Sequence, residues 1–214
     1  MKSYAFIDAS NLFYGGEKSL GWKIDYKKLL QYMKDKYGVS KVFYFGGVET
    51  HDFAYDYLKN MTVPIDQLEK YLKRLIETSG NTINEAQLLL LGRHLQRIRF
   101  YQKLEQFGYS LILKPVKLYE QEDGTTRRKA NCDVEMAFYV MKEQDNFDQI
   151  LVLSGDGDFL PLLKHLREQG KKVIVLARGL RTAREIRQFA GPDFRDLVSL
   201  QNLIQMEVQQ KRGL

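Results

Sequence analysis

The stretch Gln149–Leu160, QILVLSGDGDFL, decides the fold. Ile150 to Leu153 are four apolar residues in succession, the pattern of a short strand buried on both faces. Ser154, Gly155 and Gly157 then open a turn that carries two acids, Asp156 and Asp158. In an open parallel sheet, ligands sit beyond the carboxyl ends of the strands, so both Asp are expected on the floor of a crevice. The glycines are expected to let the backbone turn sharply and approach a ligand closely.

The same pattern occurs at the start of the chain. Tyr4 to Ile7 reads as a short strand and ends in Asp8-Ala9-Ser10-Asn11, again a carboxylate at the tip with a polar neighbour three residues on. A third candidate is Asp133, in Asn131-Cys132-Asp133-Val134-Glu135-Met136-Ala137, where a helical pattern begins. If Asp8, Asp133, Asp156 and Asp158 converge, each pair at ~4 Å repels by roughly 1 to 4 kcal/mol, depending on the effective dielectric. Such a cluster needs a cation. Hard oxygen ligands with no nearby His or Cys suit Mg²⁺ or Mn²⁺ and argue against zinc.

The 214 residues suit one domain over 1–214, with a substantial core. Lys plus Arg outnumber Asp plus Glu, 33 to 27, giving a formal net charge of +6. A basic balance favours a polyanionic partner, because Lys and Arg gain affinity by releasing counterions from phosphates. The single Cys excludes an internal disulfide framework, and no apolar run approaches the ~18 residues of a membrane span. Met1-Lys2-Ser3 leads straight into a strand rather than a signal peptide, so a cytoplasmic protein with no membrane partner is expected.

Between the two acid-tipped strands the pattern alternates. Asp25 is placed to cap a helix with Leu29, Leu30, Met33 and Tyr37 on one face, Gly38 ends it, and Lys41 to Phe45 reads as a buried strand. Strand, helix, strand in this order predicts a right-handed crossover and a parallel sheet. From about 51 to 92 helical signals replace strands: Asp66 is placed to cap one helix, Thr82-Ile83-Asn84-Glu85 fits a capping box, and a helical insertion is expected. A further helix through the Arg93, Arg97 and Arg99 run is expected to stop at Gly108, with Tyr109 to Leu113 as the next strand. Lys117 to Lys129 reads as a hairpin turning at Asp123-Gly124, and its Arg127, Arg128 and Lys129 form the basic patch best placed to hold phosphates. After the central strand come a helix from Phe159 to Leu166, a strand from Val173 to Leu176, and Arg178, Arg181, Arg184 and Arg187 as a slowly turning helical stripe. The tail is expected to dock through Leu203, Ile204 and Val208.

Other readings of the acids fail. An EF-hand loop starting at Asp156 needs an oxygen ligand where Leu160 stands, a Gly at Pro161 and a Glu at Arg167. A haloacid dehalogenase phosphatase needs two spaced Asp after the first strand, where only Asp8 is found, and a Toprim-like site needs Glu at that tip. His51, His94 and His165 fall in separate segments and form no nucleophile triad, and Cys132 reads as a small core residue. The remaining ordinary reading is that Asp156 and Asp158 cap a helix N-terminus.

Taken together, Phe6-Ile7-Asp8-Ala9-Ser10-Asn11, Lys129 with Asp133, and the hexapeptide Ser154-Gly155-Asp156-Gly157-Asp158-Phe159 resemble the NYN branch of PIN-like nuclease domains. The resemblance covers the chain outside the helical insertion and implies a Rossmann-like, PIN-type three-layer sandwich with a mostly parallel sheet of five or six strands. It implies an Mg²⁺- or Mn²⁺-dependent ribonuclease that leaves a 5′-phosphate, with RNA as partner, single-stranded DNA as second candidate, and a homodimer as an open alternative. Asp8, Asp156 and Asp158 would be metal-holding acids, Asp133 would complete the cluster, Asn11 would orient a ligand or water, and Ser154 would help line the site. Arg178 joins the hairpin cations as a substrate contact. The chain departs from the family pattern about two turns into the helix that Asp133 opens, where an acid is often found and this sequence has Phe138, Tyr139 and Val140. That departure leaves a second class of function open, a nucleic-acid or partner-binding module without turnover.

Overall fold

The computed structural model describes residues 1–12, 18–78, 84–120 and 126–207. It has a mixed α/β architecture with a six-stranded sheet, and its chain forms two compact units, Met1–Val42 with Ala137–Leu214, and Phe43–Met136. No helix among the described residues is long and apolar enough to cross a membrane.

The first unit is built on β1 (Ser3–Asp8). All six of its residues are buried, as expected of a strand covered on both faces. Helix α1 (Tyr26–Tyr37) starts where Asp25 accepts hydrogen bonds from the Lys27 and Lys28 amides and stops at Gly38, whose φ of 64° only Gly adopts without penalty. It buries Leu29, Leu30 and Met33. Strand β2 (Val39–Val48) follows and runs from the first unit into the second.

In the second unit α2 (Ile65–Thr78) buries Leu68 and Leu72, and α3 (Glu85–Phe107) buries Leu91, Leu95, Ile98, Tyr101 and Leu104. Asp66 does not cap α2. The helix already begins at Ile65, and Asp66 lies in its first turn, where the helix dipole favours an acid. Thr82 lies outside the described residues; the box that forms is Asn84 with Gln87, each side chain accepting the other's backbone N–H at 2.9 and 3.0 Å. Helix α3 is continuous through Gly92 to Gly108, and the buried Tyr101 hydroxyl donates to the Gly47 carbonyl at 2.7 Å. Strand β3 (Tyr109–Pro115) and an antiparallel hairpin, β4 (Lys117–Glu120) with β5 (Thr126–Lys129), complete the unit, together with the first turn of α4 (Asp133–Glu143). The Asp123-Gly124 turn and the side chains of Arg127, Arg128 and Lys129 lie outside the described residues.

The chain then returns to the first unit for β6 (Gln149–Leu153), α5 (Leu160–Glu168), β7 (Lys172–Ala177), α6 (Arg184–Ala190), β8 (Phe194–Asp196) and α7 (Gln201–Ile204). Strand order in the sheet is β3-β2-β1-β6-β7-β8, and β1 with β6, β6 with β7, and β7 with β8 pair in parallel. Phe147 packs against Tyr4 and Phe6 with ring centroids 5.7 and 6.0 Å apart. The C-terminal segment docks through Ile204, which is fully buried and whose carbonyl accepts the Asp25 amide at 2.8 Å. Leu203, expected to dock beside it, is instead 55% exposed, and Val208 lies outside the described residues.

The arginine stripe is broken. Arg178 has extended backbone after β7, Gly179–Arg181 form a 3₁₀ turn, and only Arg184 and Arg187 share α6. Gly179 opens that turn close against β8, where a Cβ would overlap Asp196 Oδ2.

Candidate functional site

Register fixes the first element of the site. Ile7 is paired with Leu153, so Asp8 and Ser154 are the next residues on two adjacent parallel strands and leave the sheet side by side. Local chemistry then bends both tips. Asp8 accepts the Ser10 and Asn11 amides through Oδ1, at 2.9 and 3.1 Å, which starts a helical turn over Ala9–Asn11. Asp156 accepts the Asp158 amide at 3.0 Å and starts the 3₁₀ turn Gly157–Phe159 that leads into α5.

Two hydrogen bonds join the tips, and a third braces the second tip. Ser154 Oγ donates to Asp8 Oδ2 at 3.2 Å and accepts the Asp156 amide at 3.3 Å, while Asn11 Oδ1 accepts the Gly155 amide at 2.9 Å. Ser154 is 3% and Asp8 9% exposed, so this carboxylate is held with both oxygens in use in a nearly dry environment. Asp156 is half-buried and Asp158 exposed. Apart from the Asp156 oxygen on the Asp158 amide, their carboxylate oxygens have no hydrogen-bond partner among the described residues.

The glycines of the turn are explained by contact rather than by special backbone angles. Neither Gly155 nor Gly157 has positive φ. A Cβ on Gly155 would lie 2.7 Å from Thr182 Oγ1 and 2.9 Å from Thr182 Cα, and one on Gly157 would overlap Glu185 Oε1. The Gly155 carbonyl also accepts the Ala183 amide at 2.9 Å, so the segment after β7 seats the acid-bearing turn. Thr182 and Glu185 are neighbours of the turn that the sequence reading missed. Nothing in their spacing, some 27 residues beyond the glycines, signals the contact.

Arg178 follows β7 at the same edge and pairs with Asp196 at 3.6 Å. Asp133, in the second unit, starts α4 with its amide donating to Asn131 Oδ1 at 2.9 Å. Two residues on, Glu135 pairs with Lys114 at 2.6 Å.

Among the described residues, no three His, Cys, Asp or Glu side chains form a group that could hold a metal ion. The donor set nevertheless fits a hard cation. Mg²⁺ is usually held by one or two carboxylates together with waters and substrate phosphates rather than by an all-protein cage. Asp8 and Asp156, hard oxygen donors on strand tips joined by hydrogen bonds, are donors of that type.

Known proteins place the fold. The Low amplitude and bright protein LabA of Synechococcus elongatus is 25% identical over 202 residues, covering 94% of this chain and 86% of that protein. A protein of unknown function from Vibrio parahaemolyticus superposes with a TM-score of 0.53 at 17% identity, over 87% of each chain. The T5 D15 protein, co-crystallised with metal ions, aligns at a TM-score of 0.44 and 15% identity, over 87% of this chain and 59% of that one; a likeness at that level fixes no chemistry. The NYN domain model matches residues 59–198, a span that includes Asp133, Ser154, Asp156 and Asp158 and leaves Asp8 and Asn11 before it. On that match, which takes in well over half of its residues, the chain belongs to the NYN domain family.

Proposed function

We propose that the chain is a divalent-metal-dependent ribonuclease that hydrolyses phosphodiester bonds at the joined tips of β1 and β6. The supporting observation is the link itself: Asp8, Asn11, Ser154 and Asp156, separated by some 146 residues, share one hydrogen-bonded assembly at the carboxyl edge of a parallel sheet. Capping alone requires only the local bonds of each Asp. It does not require Ser154 to bridge the carboxylate of one strand tip to the backbone of the other.

In this reading Asp8, Asp156 and Asp158 hold Mg²⁺ or Mn²⁺, with Asp133 contributing a further carboxylate. The ion, when bound, supplies Lewis acidity and lowers the pKa of bound water. The protein's own residues do the positioning. Ser154 orients Asp8, Asn11 fixes the turn that carries Asp156, and Arg127, Arg128, Lys129 and Arg178 contact the phosphates of RNA, or of single-stranded DNA as the alternative substrate.

A second reading is favoured by one observation, the absence of a three-acid group among the described residues. On that reading the chain is a nucleic-acid or partner-binding module without turnover. Labelled single-stranded RNA incubated with Mn²⁺ or Mg²⁺ separates the two. Asp156→Asn is the informative variant because Asn caps a helix about as well as Asp, so the Asp158 amide keeps its partner and only charge is lost. The expected result is metal-dependent cleavage that EDTA abolishes and Asp156→Asn reduces by about a hundredfold or more, the scale of one lost transition-state contact. Binding without cutting in the wild type overturns the nuclease and leaves the module.

A further inference from the structure

Segment 50–63 of the second unit has no regular secondary structure, but its aromatic side chains pack on one another. Phe53, Tyr55 and Tyr57 recur at every second residue of an irregular stretch that turns at residues 57–59. Their rings form a ladder. Phe53 and Tyr55 stack at 6.0 Å with 17° between planes, Tyr55 and Tyr57 lie 4.3 Å apart, and Phe53 meets Tyr71 of α2 at 5.5 Å. The ladder is anchored at its Tyr71 end, where that hydroxyl donates to the His51 carbonyl at 2.7 Å.

The other end is open. Tyr57 is 66%, Leu58 98% and Met61 63% exposed, a density of large apolar side chains at one bend that marks a contact surface. Beside the anchored end, Lys70 and Arg74 stand at i and i+4 on α2, both exposed and neither in an ion pair among the described residues. The segment's own acid Asp56 is committed elsewhere, accepting the Leu58 and Lys59 amides and pairing with Lys59 at 3.4 Å, and Asp52 is the opposing charge.

We infer that this ladder is a stacking platform for the bases of single-stranded nucleic acid, with Tyr57 as the free ring and Lys70 and Arg74 as phosphate contacts. The inference deepens the ribonuclease reading, on which its substrate class rests. A row of rings in contact, one pair nearly parallel and the others tilted by 41° and 45°, leaves the face of its last ring to a planar base, and every base has a face to offer, so binding of this kind is tolerant of sequence. Cations beside the rings are what distinguishes such a platform from a purely apolar protein contact.

The test uses the full chain and fluorescein-labelled 12-nucleotide oligomers, single-stranded RNA, single-stranded DNA and duplex, in EDTA so that nothing is cut, read by fluorescence anisotropy. Tyr57→Ala is expected to weaken single-strand binding about fivefold or more, Tyr57→Phe to keep it within about twofold, and duplex binding to be indifferent to both. Arg74→Ala should flatten the salt dependence, whereas the loss in Tyr57→Ala should be the same at low and high salt. Wild-type affinity in Tyr57→Ala overturns the platform. So does a self-association of the protein, seen by light scattering, that Tyr57→Ala abolishes while oligomer binding is unchanged. The two readings fail separately: metal-dependent RNA cutting with unaltered binding by Tyr57→Ala removes the platform alone, and Tyr57-dependent binding with no cutting by the wild type removes the nuclease alone.

Discussion

Gly155→Ala tests how the acid-bearing turn is held. The new methyl would stand 2.7 Å from Thr182 Oγ1, 2.9 Å from Thr182 Cα and 3.1 Å from Thr182 Cβ. A rotamer change relieves only the first of these, because the other two involve atoms the backbone fixes. Overpacking of this kind costs about 1 to 3 kcal/mol. At roughly 2 to 4 °C per kcal/mol for a chain of this length, the melting temperature should fall by about 2 to 12 °C. Circular dichroism melts of Gly155→Ala, Gly155→Ala with Thr182→Ala, and Gly170→Ala give the comparison. Gly170 has φ of +75° and open space around its missing Cβ, so its substitution costs only the left-handed backbone, about 1 to 2 kcal/mol. Thr182→Ala should restore Gly155→Ala only in part, since Cα and Cβ of residue 182 remain. Full restoration would mean that the side chain is the sole obstacle, and a Gly155→Ala melt within about 1 °C of wild type would refute the contact argument altogether.

Two further outcomes follow from other sites. Burial, then the hydrogen bond with Tyr32, pushes the Tyr37 hydroxyl up to about 12. The folded state therefore holds its proton where the unfolded chain has lost it, so stability should be fully present below pH 10 and decline between about pH 10 and 12. Denaturant melts of wild type and Tyr37→Phe across that window check this, and parallel curves would contradict it. Asn84→Ala removes the acceptor for the Gln87 amide and one half of the capping box, at a cost of about 1 kcal/mol that thermal melts should register. Asn84→Asp, which can still accept that bond, should lose less.

Much of the framework was legible because it is written locally. The QILVL strand, the Asp25 cap and the Gly38 stop each depend on residues within a few positions, and periodicity with capping chemistry is enough to find them. The carboxylates at the ends of β1 and β6 were legible for the same reason. What was not legible depends on partners far away in sequence. The glycines of the turn read as residues chosen for a sharp turn and ligand approach, yet Gly155 is held small by Thr182, whose Cα and Cβ leave no room for a side chain. The four arginines from Arg178 to Arg187 have helical spacing, but a 3₁₀ turn packed against Asp196 splits them. Leu203 looked as apolar as Ile204, and only tertiary packing decides that one is buried and the other faces solvent. Strand β8, three half-buried residues long, gives too short a pattern to detect.

The pairing of β1 with β6 also sets a schedule. The first strand leaves the ribosome more than a hundred residues before the strand it must lie against, and closing so long a loop is entropically costly and slow. Until Ser154 and Gly155 have been synthesised, Asp8 and Asn11 lack the partners that hold them in place. A chain cut short before β6 thus carries only one of the two tips, and the pair of acid-bearing turns is assembled only after the whole of the second unit has been made.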